Sequence, residues 1–226
     1  VFCQNHQISQ GPCGQIVSGE ELYKIAVKLK KEGAHNINLV SPTPYTELLL
    51  EVLPELRRLK LPIVWNSNGY EEISTLEKLN GLVDVYLPVL KYFDDALAPK
   101  YSGLPHYFPS ATVAILAMKK QVGPNIFDDN GLLNKGLIVR HLVLPGQIAD
   151  SQKIIDWIYV NLGPETIVSL MAQYYPASRA EEYPEINRTL TPKEYQEIAE
   201  YFESLDFADG YLQELAAADE KYTPKF

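Results

Sequence analysis

The sequence is poor in several features that would assign it to a protein class at once. It has two cysteines, Cys3 and Cys13, in 226 residues. That is too few for a disulfide framework and fits a reducing compartment, with a single Cys3–Cys13 bridge left open. It has no long basic run, and its net charge is −9. The nearest cationic groups are Lys28, Lys30 and Lys31 on one predicted helix and Arg57, Arg58 and Lys60 on another. They read as solvated helix faces, so a nucleic-acid partner is not expected. No apolar run approaches about 18 residues, so no membrane span is expected. No signal peptide precedes the first motif, and the expectation is a soluble, cytoplasmic protein. What is present is apolar material, 46% of the residues, enough for one large α/β domain over 1–226 with a sizeable core.

Helical and strand-like periods alternate along the chain. Ser18-Gly19-Glu20-Glu21 opens an amphipathic helix with Leu22, Ile25, Ala26 and Leu29 on one face. Ser18 is its N-cap, Glu21 completes a capping box, and Gly33 ends it. Ile37–Val40 then reads as a short buried strand. Thr46–Leu59 reads as helix with a kink expected at Pro54, and Pro62–Trp65 as strand. Glu71–Leu79 is helix, Val83–Leu87 strand and Ser110–Lys120 helix. A polar turn at Asp128–Gly131 precedes the clear strand Gly136–Leu144. Ile148–Val160 is helix, Thr166–Leu170 strand, and Pro192–Ser204 helix within a helical C-terminal segment, 191–226. Short strands alternating with helices imply parallel pairing, because each helix returns the chain to the side where the next strand begins. A partial barrel and a doubly wound open sheet share this periodicity, and both gather chemistry at the carboxyl ends of the strands.

The unusual residues fall at those ends. Ser41-Pro42-Thr43-Pro44-Tyr45 follows one strand and Asn66-Ser67-Asn68-Gly69-Tyr70 the next. Each taken alone is also good turn and capping chemistry. Pro88-Val89-Leu90-Lys91-Tyr92 follows the third, and its Lys91 reads equally as a snorkelling surface lysine. In the strand from Leu137, Arg140 sits among apolar neighbours and needs an anionic partner if buried. Arg140 and His141 are consecutive and so point to opposite faces. Arg140 is the one expected inside, with His141 hydrogen-bonded under the outer helices. At the N-terminus, Val1-Phe2-Cys3-Gln4-Asn5 leads into a Gly/Pro-rich turn that includes Gly11-Pro12-Cys13-Gly14. It is poor material for a core helix or strand and looks like the end of a metal-binding loop.

Val-Phe-Cys-Gln-Asn resembles the tail of the Cys-x3-Cys-x2-Cys motif of radical S-adenosylmethionine proteins. Together with Asn66–Tyr70, Tyr86–Tyr92 and Val139–Gly146, it falls in the order and spacing of the members similar to pyruvate formate-lyase activating enzyme. The resemblance implies a partial (β/α)6 TIM-like barrel whose first strand lies before the cysteine loop, with 1–17 the remnant of that loop. On the motif's spacing, one further cysteine would stand immediately before Val1 and another four residues earlier. It implies a 4Fe-4S cluster with Cys3 as one ligand, and S-adenosyl-L-methionine chelated at the open iron. Phe2 matches the aromatic beside the adenine, and Asn66 and Asn68 match the polar loop near ribose and methionine. Lys91 and Arg140 match cationic positions suited to the carboxylate. Ser41-Pro42-Thr43 stands where many relatives carry Gly-Gly-Glu against the methionine amino group, so Ser41 and Thr43 are candidates by position only. Val89 stands where relatives of the activating enzyme commonly have an acid. The implied activity is an oxidoreductase or activase reaction in which a 5′-deoxyadenosyl radical abstracts hydrogen from a protein or small molecule. The implied partners are a glycyl-radical-type protein and a flavodoxin or ferredoxin reductant, and the chain alone is expected to be inactive. Met171–Pro176 is the candidate substrate-side lip, with core packing an equal reading of the same residues.

Two other classes fit the same residues. One is a hydrolase or isomerase barrel using Asp94, Asp95 or His106. The other is a degenerate, non-catalytic domain that binds a nucleotide or a protein.

Overall fold

The computed structural model describes residues 1–11 and 13–218. Its elements run α1 (His6–Ser9), α2 (Gly19–Lys31), β1 (Ile37–Val40), α3 (Thr46–Arg57), β2 (Ile63–Asn66), α4 (Ile73–Leu79), β3 (Val85–Tyr86), α5 (Leu97–Ser102) and α6 (Tyr107–Val122). They continue β4 (Ile126–Phe127), β5 (Leu133–Leu142), α7 (Ile148–Leu162), β6 (Ile167–Met171), α8 (Pro192–Glu203) and β7 (Gly210–Leu212). The strands are ordered β1-β2-β3-β5-β6-β7, with β4 attached to β5 alone. This is an α/β fold with a parallel sheet of the partial-barrel kind. None of the helices among the described residues is long and apolar enough to cross a membrane.

The chain gathers into two compact units. The first holds Val1–Gln15, Leu90–Phe108 and the chain from Val139 onward; the second holds Ile16–Val89 and Pro109–Ile138.

In the second unit, β1 and β2 pair in parallel from Ile37↔Ile63 to Val40↔Asn66, and β2 pairs with β3 at Val64↔Val85. β3 continues onto β5 at Val85↔Gly136. The core is Leu53 and Leu56 of α3, Ile63 and Trp65 of β2, Leu76 and Leu79 of α4 and Tyr86 of β3, all without exposed surface. α2 begins at the expected capping box, Ser18 with Glu21. β1 differs from the buried strand expected. It is paired on one side only among the described strands, its residues alternate between half-buried and exposed, and Val40 is 62% exposed. The apolar face of α2 is likewise only partly covered, with Ala26 buried but Ile25 and Leu29 exposed. α3 runs through Pro54 without ending there. The short hairpin of β4 on β5 is antiparallel. Its turn is the expected Asp128–Gly131, where the Asp128 carboxylate accepts the amides of Asn130 and Leu132.

In the first unit, α7 buries Ile148, Ile154, Ile155, Ile158 and Leu162 on one stripe. β6 pairs in parallel with β7 from Val168↔Gly210 to Leu170↔Leu212. β7 is a strand inside the segment 191–226 that the sequence presents as helical; α8 is the helix there, opened by a second capping box, Thr191 with Glu194. β7 was hidden because three residues, of which Gly210 and Tyr211 are exposed, carry no apolar alternation to detect.

Candidate functional site

Four of the residues assigned by resemblance to the cofactor, Phe2, Cys3, Lys91 and Arg140, lie in the first unit. Cys3 is a free, half-buried thiol whose Sγ lies 3.3 Å from Ser9 Oγ. Cys13 is also free, so no bridge joins the two cysteines. The segment carrying Cys3 is tied down on both sides. Gln4 Nε2 donates to the Gln173 carbonyl just past β6, at 2.9 Å, and the Arg179 amide donates to the Val1 carbonyl at 3.0 Å. Phe2 stands edge-on to Tyr174 and Tyr101, with centroids 5.4 and 6.3 Å away. Phe2 thus holds the cysteine segment against an aromatic cluster.

Lys91 does not snorkel. Burial pushes its ammonium down to about 8; the sulfur of Cys3 offsets part of that effect and the charge of Arg140 adds to it. Arg140, on β5, is itself brought down to about 10 by burial. Two half-buried cations and a half-buried thiol therefore share one partly desolvated region, where an anion meets charge less screened than in open water. His141 faces the other way, 1% exposed, with Nδ1 2.7 Å from the Leu90 carbonyl and Nε2 2.8 Å from Ser151 Oγ. Burial holds it near pKa 4, so it is neutral at ordinary pH. His141 is thus hydrogen-bonded beneath α7, as expected for it.

Ser41, Thr43, Asn66 and Asn68 lie in the second unit, at the carboxyl ends of β1 and β2. Ser41 is exposed and adopts φ 51°, a left-handed backbone unusual for a serine, while its amide extends the ladder to the Asn66 carbonyl at 2.8 Å. Asn66 ends β2 and Asn68 is exposed. Between them Ser67 is buried, and its Oγ accepts the Gly69 amide at 3.2 Å. Gly69 is required there. At φ 74°, a Cβ would stand 2.9 Å from the Val89 carbonyl.

Thr43 turns out to bond within the protein. Its hydroxyl donates to Glu71 Oε1 at 3.0 Å. Glu71 is 5% exposed, and burial raises its carboxyl above the ordinary value despite hydrogen bonds from Ser67 and Thr43. In the sequence Glu71 stands only as the start of the expected helix Glu71–Leu79, whereas the helix begins at Ile73. Its signal was its place directly after the polar loop Asn66–Tyr70. Ser151 was also missed; the signal was a hydroxyl on the apolar stripe of α7, between Ile148 and Ile155.

Other candidates are not assembled into chemistry. The Asp94 and Asp95 carboxylates accept the amides of Ala96 and Phe108, and His106 is exposed. Of the Met171–Pro176 stretch, Met171, Ala172 and Tyr174 are buried, and the Tyr174 hydroxyl donates to the Ile186 carbonyl, which favours packing over a lip. Among the described residues no three His, Cys, Asp or Glu side chains come close enough to hold a metal. An iron-sulfur cluster needs several thiolates, so Cys3 alone does not make its site. The Lys91–Arg140 region, in contrast, fits a carboxylate.

No family model matches the sequence. It is 34% identical over 227 residues to an uncharacterized protein of Methanocaldococcus jannaschii, a match covering 95% of this chain. The chain spans 60% of that relative's length. Streptococcus suis SuiB in its complex with S-adenosylmethionine superposes with a TM-score of 0.62 at 12% identity, over 89% of this chain and 44% of SuiB. SuiB bound to its precursor peptide SuiA gives 0.61 at 13% identity, over 88% and 43%. A domain of pyruvate-formate lyase-activating enzyme from Bacteroides vulgatus gives 0.58 at 11% identity, over 80% of this chain and 100% of that domain. At such identities the likeness is one of fold: the order of strands and helices is shared with SuiB and with the activating-enzyme domain.

Proposed function

We propose that this chain is the cofactor-binding part of a radical S-adenosylmethionine enzyme, in which Lys91 and Arg140 hold the methionyl carboxylate. The observation that carries this reading is the pair of desolvated cations beside Cys3. A fixed guanidinium and a buried ammonium prefer a carboxylate to water once solvent is excluded. By the resemblance of their motifs, Phe2 is assigned to the adenine, and Asn66 and Asn68 to the ribose and methionine. Thr43 is a weaker candidate than Ser41, because its hydroxyl is already bonded to Glu71.

When bound with a reduced 4Fe-4S cluster, S-adenosylmethionine supplies one-electron cleavage chemistry and hydrogen abstraction. Cys3 would be one ligand of that cluster and two further cysteines would come from an upstream segment. A protein or peptide substrate fits the company of neighbours, one of which was crystallised with a precursor peptide. A glycyl-radical-type protein and a flavodoxin or ferredoxin reductant complete the proposal.

Calorimetric titration with S-adenosylhomocysteine, which carries the carboxylate, and 5′-methylthioadenosine, which does not, tests the reading. Lys91→Gln and Arg140→Gln should each weaken the first about tenfold or more, corresponding to about 1.4 kcal/mol, and leave the second unchanged. Equal loss of both ligands, or no binding of S-adenosylhomocysteine by the unaltered chain, would reject it.

A further inference from the structure

The loop that carries Lys91 is bonded along nearly its whole backbone. The Leu90 amide donates to the Arg140 carbonyl at 2.9 Å, and the Lys91 amide donates to the Tyr107 hydroxyl at 3.1 Å. The amides of Phe93 and Asp94 donate to the two carboxylate oxygens of Asp150, at 3.0 and 2.7 Å. The remaining bond is the one from His141 Nδ1 to the Leu90 carbonyl, at 2.7 Å.

The direction of the histidine's bonds is fixed by its partners. A peptide carbonyl can only accept, so Nδ1 carries the proton; Nε2 is then the acceptor and must receive the Ser151 hydroxyl, 2.8 Å away. The chain of donors runs from α7 through the imidazole to the Leu90 peptide, one bond before Lys91. An apolar side chain would fill the same space under α7 without any of this. Alternation on β5 adds the decisive point. Arg140 and its neighbour His141 point to opposite faces, so one dipeptide presents the first cation and grips the backbone that presents the second.

We propose that His141 is a positioning residue, which through the Leu90 carbonyl fixes Lys91 relative to Arg140 and so sets the spacing of the two cations for a carboxylate. The carboxylate part rests on the function proposed above; the grip on Lys91 does not. The Leu90 carbonyl sets the tautomer, Ser151 satisfies the nitrogen left as acceptor, and Asp150 closes the loop from its other end.

The test compares His141→Leu, which removes the donor at similar bulk, with His141→Asn, which retains an N–H donor. One readout needs no ligand: the rate at which Lys91 is reductively methylated in the whole chain, measured by peptide mass spectrometry against Lys24 as the internal surface standard. Losing one buried hydrogen bond should raise the Lys91 rate about tenfold in His141→Leu, with His141→Asn restoring it to near the original. Ser151→Ala should give a smaller rise in the same residue, and it carries the test if His141→Leu does not fold. The second readout is affinity for S-adenosylhomocysteine against 5′-methylthioadenosine, where only the former should weaken in His141→Leu. An unchanged Lys91 rate, or an equal rise at all lysines, would overturn the proposal. A selective rise in Lys91 reactivity with unchanged carboxylate affinity would keep the grip and remove the anion role from Lys91, and the failure would then be that of the proposed function.

Discussion

The two compact units place their polar groups differently. In the first, buried polar side chains grip loops: His141 and Ser151 hold Leu90 and Asp150 holds Phe93 and Asp94, while the half-buried Glu194 carboxylate takes the Gly146 amide together with Arg188. In the second, apolar packing under α3 and α4 fixes the strands, and one buried acid, Glu71, joins the Thr43 and Ser67 loops. Exposed apolar surface divides the same way. Ile16, Ile25, Leu29, Val40 and Leu48 lie open in the second unit, against Ile8, Val160 and Tyr211 in the first. The difference teaches that the loop carrying Lys91 is held by directional bonds, which specify geometry, whereas the polar loops after β1 and β2 stand on a packed base and meet at the buried Glu71.

The largest expected effect breaks this comparison at its apolar half. Leu53 has no exposed surface, so Leu53→Ala should cost about 2–5 kcal/mol through lost burial and a residual cavity. The chain's two tryptophans fall one in each unit, Trp65 and Trp157. Urea melts of Trp65→Phe and Trp157→Phe backgrounds therefore report each unit separately. Leu53→Ala should lower the midpoint reported by Trp65 more than that reported by Trp157; equal shifts would merge the two units into one cooperative block.

What the sequence makes legible follows the reach of each residue's contacts and cuts across both units. Helices with a capping box and an apolar stripe, α2 and α8, were legible because side-chain chemistry and periodicity agree there. Arg140 and His141 were legible because a charge in an apolar strand demands an explanation. β1 was misjudged, since Ile-Asn-Leu-Val is apolar enough for a buried strand, yet burial depends on neighbours that local sequence does not encode. The partnership of Thr43 with Glu71 joins residues from separate loops, and no local pattern announces it. Lys91 showed the same limit: a lysine after a strand carries no mark of whether its ammonium will be enclosed.

Acid should sharpen the comparison by moving the two halves in opposite directions. His141 in the folded chain titrates near 4, below the ordinary 6.5. Between those values the unfolded chain binds the extra proton, so stability is lost as pH falls through the window, by about 3 kcal/mol in all. Asp150, whose carboxyl is raised by burial, opposes part of this in the same unit. Glu71 is raised above its ordinary 4.5, so there the folded chain binds the proton first and its contribution improves as pH falls toward that value. Melts between pH 7 and 4.5 should show His141→Asn flattening the loss reported by Trp157, while Glu71→Gln should steepen the net acid loss by removing the opposing gain. The reverse signs would show that these groups are not buried as found.

The smallest effect separates two helix starts that look alike in sequence. Ser18 with Glu21 and Thr191 with Glu194 form the same capping box, in which each hydroxyl accepts an amide and each carboxylate reaches back. The boxes differ in what else the acid does. The Glu21 carboxylate takes the amide and hydroxyl of Ser18, whereas Glu194 also accepts a bidentate pair from Arg188 at 2.7 and 2.8 Å and the Gly146 amide at 2.7 Å. Those bonds hold the Glu194 carboxyl far below the usual carboxylate range. Its contribution is present above the ordinary value of 4.5 and fades as pH drops beneath it. At neutral pH, Glu194→Gln should cost about 1 kcal/mol, a modest figure because Arg188 is partly solvated. Glu21→Gln should shift the melt less. The two substitutions are compared in one thermal series, at pH 7 and again at pH 3. The gap should narrow at the lower pH, because the carboxyl of the unfolded chain is by then largely protonated while the folded one stays ionised beside Arg188, so the unfolded state gains on the folded one. A gap that stayed constant would assign the difference to shape and packing at the Gly146 turn instead of to charge.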